Sequence, residues 1–422
     1  MKEDFLHYLW KHKKFDLKSL KTTDDLVVAI KAVGEHNLLS GPDFFNAVIR
    51  IDNQLWAGNV EIHLKSSDWY AHHHENDPAY DNVILHVVWT HDTDVYRKDN
   101  TTIPVLELSN YVDESLLISY RILLDSSKQW INCENEISQT DSFLIRNWQE
   151  RLYIERLETK AEVIFNLLKS SNNDWEAVLF KMLAKSFGSN VNGEAFLSIA
   201  SSVDFGMIRK VRSNPIALEA LLFGQASLLD EDIEDHYHYR LKERYKFLKN
   251  KFKLNNQGVL PVQFFRLRPN NFPTIRLSQL ASLYVNNDSL FSKIIDIETK
   301  EDFYRLLSVP ASSYWNSHYT FNKETKGRSK KLSKSFIDLL LINTIIPLQF
   351  CYAKFQAKQS TDVILSLIQE IAVEKNAIVD RYKSLKVPAE NALHSQALIQ
   401  LKKEYCNRNH CLQCAVGASL LE

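Results

Sequence analysis

The chain has 422 residues, of which 45% are hydrophobic, so it carries enough apolar residues for two or three domains with buried cores. Its formal net charge of -1 excludes a globally basic surface, and any nucleic-acid binding therefore has to rest on local patches. Five cysteines, an odd number in a long chain, argue against a disulfide framework and predict a reducing, cytoplasmic environment. Residues 1–15 lack the apolar stretch of a signal peptide. The longest apolar run, residues 336–350, is shorter than the ~20 residues that span a bilayer and predicts a buried core helix, with no membrane association.

The first 120 residues alternate between apolar and polar positions, as β-strands do. The segments "FFNAVIRI", "LWAGNVEIHL" and "NVILHVVWT" predict strands near residues 44–51, 56–65 and 82–90. We expect a helix at residues 24–33 before them and a short helix at residues 67–74 between the last two. After residue 120 the apolar residues recur every three or four positions, which predicts helices. The pattern indicates an α+β protein, with a mixed-sheet domain over residues 1–120 and a larger, mainly helical domain over residues 121–422.

One predicted strand carries chemistry on its polar face. Strand alternation in "GNVEIHLKSSDW" places Glu61, His63 and Lys65 on the same face. Asp43 stands at the start of the preceding strand, and a hairpin between the two strands brings it beside Glu61. Two neighbouring carboxylates repel each other unless a cation or a proton lies between them. Oxygen ligands of this kind suit Mg²⁺ or Mn²⁺, so the sequence predicts a metal site at Asp43 and Glu61.

This arrangement resembles the PD-(D/E)XK nuclease core, in which a helix, three strands, a helix and a strand carry a Pro-Asp and then an acid-x-Lys. Asp43 follows Pro42 as in the first motif, and Glu61 begins the second, with His63 in the lysine position. The resemblance implies a restriction-endonuclease-like fold and a metal-dependent phosphodiesterase that acts on nucleic acid. It implies that Asp43, Glu61 and a further acid, Glu35, bind the metal. His63 or Lys65 would then orient or activate the attacking water.

Over nearly its full length the chain resembles a bacterial family known only as a domain of unknown function. The segments that carry this resemblance are "GEHNLLSGPDF", "GNVEIHLKSSDW", "HHHENDPAYDNVILHVVW", "RPNNFPTIRLSQLA", "NTIIPL" and "YCNRNHCLQC". The family brings no established reaction, so this resemblance leaves the substrate and the oligomeric state open.

A cysteine cluster lies near the end of the chain. Cys406, Cys411 and Cys414 have C-x4-C-x2-C spacing, which suits zinc or an iron–sulfur cluster but supplies one ligand too few. Some nucleases that resemble the fold above combine three C-terminal cysteines with one upstream, which makes Cys351 the candidate fourth ligand. His410 is an alternative, and packing of small apolar thiols is another.

Two other functions fit the same residues. A binding or scaffold module can keep the fold without catalysis. A histidine-rich zinc hydrolase is the other, because imidazole selects zinc; its candidate ligands are His63, His72, His74 and His86. Consecutive histidines on one short helical turn point in different directions, so we expect at most one or two of residues 72–74 to face a site.

Overall fold

The computed structural model describes residues 1–124, 129–358 and 361–421. They form two compact units. Unit 1 comprises Met1–Trp148, Leu385–Val387 and Leu401–Glu422, and unit 2 comprises Gln149–Ser384 and Pro388–Gln400. The division differs from the boundary expected near residue 120, because the C-terminal segment packs back into the N-terminal unit. There the Lys402 ammonium donates to the Trp130 carbonyl at 2.7 Å, and the Tyr405 ring packs on Trp148.

The α+β architecture is confirmed. The strands are β1 Val28–Ala32, β2 Glu35–His36, β3 Phe44–Ile51, β4 Gln54–Lys65, β5 Val83–Thr90 and β6 Val105–Glu107. The helices are α1 Glu3–His12, α2 Asp68–Ala71, α3 Glu114–Leu124, α4 Ser142–Ser170, α5 Trp175–Ser201, α6 Phe205–Val211, α7 Pro215–Gln225, α8 His236–Phe252, α9 Pro273–Val285, α10 Leu290–Asp296, α11 Lys300–Leu307, α12 Lys334–Leu340, α13 Ile346–Phe355, α14 Thr361–Glu370, α15 Ala377–Ser384, α16 Ala392–Gln400 and α17 Ala415–Ser419. Short 3-10 turns that contain candidate ligands lie at His74–Asn76, Cys406–Arg408 and Cys411–Gln413.

The sheet of unit 1 is mixed, in the order β1-β3-β4-β5-β6, with β2 also paired to β3. Strands β1, β3 and β4 are antiparallel neighbours, whereas β4, β5 and β6 run parallel. The chain crosses from β4 to β5 through α2 and the 3-10 turns that follow it. Strand β5 is buried along Val83–Val88, as expected for a parallel strand covered on both faces.

Helix α1 begins and ends where its sequence favours a helix. Glu3 and Asp4 lie in the first turn and Lys11 and His12 in the last, so the charges complement the helix dipole. A buried stripe that includes Leu6 and Leu9 faces the sheet, and α1 packs on β4. The helix thereby lies against β4, a central strand of the sheet.

The helix expected at residues 24–33 was wrong, because this stretch forms β1. Val27, Val28 and Ile30 are β-branched, lose side-chain freedom in a helix and pack well on a pleated surface. Pairing of β1 with β3, with Val28 opposite Ile51, satisfies the backbone groups of this segment.

Unit 2 is helical, and its core contains the long apolar run. The stretch Lys334–Phe355 is long and apolar enough to cross a membrane, but 61% of its most apolar window is buried inside the structure. A core helix of a soluble protein passes the same test, in agreement with the prediction for residues 336–350. Cys351 lies buried on this stretch, with its sulfur 3.8 Å from the carbonyl oxygen of Ala161.

Candidate metal centre

Four side chains from β4 and the β4–β5 crossover converge in unit 1. Glu61 and His63 are alternate residues of β4 and are buried. His72 ends α2, and His74 begins the following 3-10 turn. Between them His73 takes a left-handed conformation, with φ of 62°, and this bend turns His72 and His74 toward the strand while His73 stays exposed. The crossover therefore brings both imidazoles to Glu61 and His63.

The distances between these groups match the edges of a metal coordination sphere. His63 Nε2 lies 3.1 Å from His72 Nδ1 and 3.4 Å from Glu61 Oε1, and His74 Nε2 lies 3.3 Å from the same oxygen. The ligand nitrogens of the three histidines lie within 4.8 Å of one another. Four ligands at about 2.0–2.1 Å around a tetrahedral ion are about 3.3–3.4 Å apart. The arrangement offers three imidazole nitrogens to a single ion, and Glu61 Oε1 lies beside two of them.

His86 holds His63 in the orientation that such a site needs. His63 Nδ1 lies 2.9 Å from His86 Nε2, on the neighbouring strand β5. If Nε2 of His63 faces an ion, its proton is on Nδ1 and is donated to His86. His86 is fully buried, and its other ring nitrogen is a buried polar atom without a hydrogen-bond partner among the described residues. His86 therefore hydrogen-bonds to the ring nitrogen of His63 that faces away from the cluster, as the partners of metal-bound imidazoles do. It is not itself one of the candidate ligands Glu61, His63, His72 and His74.

Burial sets the charge state of the cluster in the absence of a cation. Burial, and then the nearby charge of Asp43, raise the pKa of Glu61 to about 9. Burial and the neighbouring imidazoles lower the pKa of His63 to about 3. The free imidazole is the form that binds a metal, so His63 is already prepared. Glu61 holds a proton at neutral pH, and a bound cation would replace it.

A second polar group lies beside the first. Asp43 accepts a hydrogen bond from the backbone of Ile62 at 2.9 Å, and its own backbone N–H donates to Glu61 Oε2 at 3.2 Å. His7, on α1, places Nε2 3.3 Å from Asp43 Oδ2. Burial lowers the pKa of His7, but the carboxylate of Asp43 outweighs it and the net pKa is raised. Glu3, one turn earlier on α1, has its pKa raised by burial and by Asp43.

The residues predicted from the sequence divide into two sets. Asp43, Glu61 and His63 come together, whereas Glu35 is exposed on β2 and Lys65 is exposed at the end of β4. Neither of the two exposed side chains takes part in the contacts described above. The expectation that at most two of residues 72–74 face the site agrees with the geometry, in which His72 and His74 do so.

The sequence reasoning missed His7 and Glu3. The two residues are four positions apart, so they share a face of α1. That spacing is visible in "MKEDFLHYLW", but it signals a site only once the helix is known to pack on β4.

Cys351 and the three C-terminal cysteines lie in different units. Cys351 lies in unit 2, with its sulfur beside a carbonyl of α4, whereas Cys406, Cys411 and Cys414 lie in unit 1. Cys133 also lies in unit 1, and its neighbour Asn132 donates to Cys411 Sγ at 3.4 Å. A metal centre at the C-terminal cysteines stays a prediction, and Cys133 is the further cysteine that unit 1 offers.

The fold and the site define an α+β protein whose mixed sheet carries a cluster of carboxylates and imidazoles. Over residues 3–377 the chain matches the family described as protein of unknown function (DUF2851), and it belongs to that family. No curated protein and no solved structure matches it.

Proposed function

We propose that this protein is a metal-dependent phosphodiesterase that acts on nucleic acid and uses a transition-metal ion held by Glu61, His63, His72 and His74. The observation that carries the proposal is the convergence of the three histidine nitrogens within 4.8 Å of one another, with Glu61 Oε1 at 3.3–3.4 Å from His63 and His74. Three imidazoles favour zinc, iron or manganese over the Mg²⁺ expected from carboxylates alone, because Mg²⁺ prefers oxygen ligands. We expect zinc or manganese to be the active ion.

The phosphodiester substrate is supported by the order of elements around the cluster. Apart from the two-residue strand β2 and the 3-10 turns after α2, the order of helix α1, antiparallel strands β1, β3 and β4, helix α2 and parallel strand β5 is that of the nuclease core that the sequence resembles. Asp43 and Glu61 stand at the positions of its two acidic motifs. His63, in the lysine position, would here serve as a metal ligand.

Each polar residue has a defined task in this proposal. A bound metal ion would supply a nucleophilic water of lowered pKa and would offset charge on the phosphoryl group. His86 keeps the lone pair of His63 Nε2 directed at the ion. Asp43 raises the pKa of His7 and so favours its protonated form, which would donate a proton to the leaving oxygen. His72 is exposed, so the site opens to solvent on the side where a polymeric substrate can enter. The five free cysteines fit a cytoplasmic location, which is part of this proposal.

The test compares two adjacent histidines. We expect zinc and manganese to raise the melting temperature of the wild type and of His73→Ala, but not of His72→Ala. Magnesium should have a smaller effect. Hydrolysis of single-stranded DNA, duplex DNA and RNA should follow the same order, with a loss of about 100-fold or more in His72→Ala. His73→Ala is the matched control, because it removes an exposed imidazole from the same turn.

Two results would contradict the proposal in different ways. Metal binding that survives His72→Ala unchanged would remove the metal site. Metal binding that is lost as expected, with no hydrolysis of any nucleic acid by the wild type, would remove the phosphodiesterase and favour a binding module or a hydrolase of another substrate class.

A further inference from the structure

Four of the five cysteines of the chain form one group in unit 1, away from the imidazole cluster. Cys406 and Cys411 begin the two short 3-10 turns, and Cys414 precedes α17. Asn132, the neighbour of Cys133, hydrogen-bonds to Cys411 and to Asn409. The backbone N–H of Asn409 donates to the Cys406 carbonyl, and that of Cys414 donates to the Cys411 carbonyl. Hydrogen bonds thus join two segments that are far apart in the sequence and that together carry four cysteines.

A hydrogen-bond donor points at one of these sulfurs. The side-chain amide of Asn132 donates to Cys411 Sγ at 3.4 Å and to Asn409 Oδ1 at 3.2 Å. Donors of this kind lie beside the thiolates of metal centres and tune them.

The close approach of the two turns is built into the sequence by a glycine. A Cβ atom at Gly417 would overlap the carbonyl oxygen of Cys411, so only glycine permits α17 to start against this turn. The same contact keeps Cys411 and Cys414 on one side of the segment. The backbone at Gly417 therefore packs closely against the Cys411 turn, and this contact holds the segment that carries Cys411 and Cys414 in place.

Burial makes the group unfavourable as free thiolates. Cys133 and Cys414 are buried, and Cys406 and Cys411 are partly buried. Thiolates in such surroundings repel one another unless a cation compensates their charge. A metal centre supplies that compensation and deprotonates its cysteine ligands.

We propose that Cys133, Cys406, Cys411 and Cys414 bind a metal centre as four thiolates. A single zinc ion would bring its sulfurs to about 3.8 Å from one another, since Zn–S bonds are ~2.3 Å. Among the described residues, no three of these sulfurs lie within 4.8 Å of one another. This separation favours an iron–sulfur cluster, whose ligand sulfurs surround several metal ions, over a single zinc ion. The centre fixes the C-terminal segment in unit 1, and its existence does not depend on the proposed phosphodiesterase activity.

The test measures iron, acid-labile sulfide and zinc in full-length protein purified without oxygen. We expect iron with sulfide in the wild type, with the visible absorption of a cluster, and the same content in Cys351→Ser. Cys133→Ser should lose most of this metal. Cys351→Ser is the matched control, because it also removes a buried thiol. A wild type that contains neither iron nor zinc, or a Cys133→Ser protein that keeps the full content, would overturn the proposal. One zinc per chain with four sulfur ligands would support the site and overturn the cluster.

A second measurement applies even if Cys133→Ser fails to fold. X-ray absorption at the metal edge should be recorded on His72→Ala protein, in which the imidazole cluster is disabled. Four sulfur neighbours at about 2.3 Å support the thiolate centre. A shell of nitrogen and oxygen atoms overturns it.

Discussion

Glu61 is the residue that links the two polar groups of the candidate site. Its Oε1 atom faces His63 and His74, and its Oε2 atom accepts the backbone N–H of Asp43. A buried carboxylate with a carboxylate neighbour is tolerated only as an acid or beside a cation. A glutamate in the middle of an apolar strand signals such a role from the sequence alone. The identity of its partners depends on the bend at His73, which no local pattern specifies.

The metal-free protein should lose stability as the pH rises from about 5 to 9, and Glu61 should cause part of that loss. The pKa of Glu61 rises from its ordinary value of 4.5 in the unfolded chain to about 9 in the folded protein. Between these values the folded state binds one proton more than the unfolded state, so a higher pH favours unfolding. Glu61→Gln has no such proton. Urea unfolding with a chelator at several pH values should show a shallower decline for Glu61→Gln.

Glu35→Gln is the control for this measurement, because the exposed Glu35 lies on the same sheet. Equal pH slopes for the wild type and Glu61→Gln would contradict the electrostatic account of Glu61.

At the scale of elements, the parallel pairing of β4 and β5 decides what stands behind the metal ligands. The register places Glu61 opposite His86 and His63 opposite Val88. The apolar segment "VILHVVWT" predicts a buried strand with one histidine. It does not predict which other imidazole that histidine will contact. A shift of β5 by one residue would turn His86 to the other face of the sheet.

Substitution of His86 should weaken metal binding through His63. His86→Leu fills a similar volume and removes the acceptor for His63 Nδ1, so we expect zinc affinity to fall by about 10–100-fold. His86→Gln keeps an acceptor and should retain most of the affinity. Competition titration with a chromophoric chelator measures both.

The metal-free His86→Leu protein should stay close to the wild type in stability, because removal of the partnerless ring nitrogen of His86 offsets the hydrogen bond that His63 Nδ1 loses. Unchanged zinc affinity in His86→Leu would show that His86 does not orient His63.

At the scale of the whole molecule, both proposed metal centres belong to unit 1. Helix α1 contacts strand β4 on one side and the Cys411–Gln413 turn on the other, so the same helix packs against elements of each. Unit 2 contains Cys351 but none of the proposed ligands. Ligand-dependent stability should therefore be concentrated in unit 1.

Removal of metal should loosen unit 1 selectively. A ligand at 100 times its dissociation constant stabilises the folded state by about 2.7 kcal/mol, and chelation removes that contribution. Hydrogen exchange followed by mass spectrometry should show faster exchange in β4, the β4–β5 crossover and residues 401–421 after chelation. Peptides from α7 and α9 serve as internal controls and should be unchanged. Faster exchange throughout unit 2 to the same extent would contradict the assignment of both centres to unit 1.

The sequence determined the elements that local chemistry dictates. Period-two alternation specified β3 and β4, a continuous apolar run specified the buried β5, and three-to-four-residue periodicity specified the helices of the second half. The carboxylate pair followed from the same reasoning, since Asp43 and Glu61 lie on consecutive strands joined by a hairpin. At residues 24–33 the β-branched side chains favour a strand, and pairing with β3 decided the outcome.

Only the tertiary structure decided which distant residues meet. His7 reaches Asp43 because α1 packs on β4, and Asn132, next to Cys133, reaches Cys411 because the last segment of the chain returns to the first unit. Sequence spacing predicts neither contact. Both contacts result from the burial of apolar faces, and many other arrangements of the same elements would bury those faces equally well. The same holds for His72 and His74, whose direction depends on one left-handed residue between them. The sequence alone identifies the types of candidate ligand, whereas long-range packing brings them together into sites.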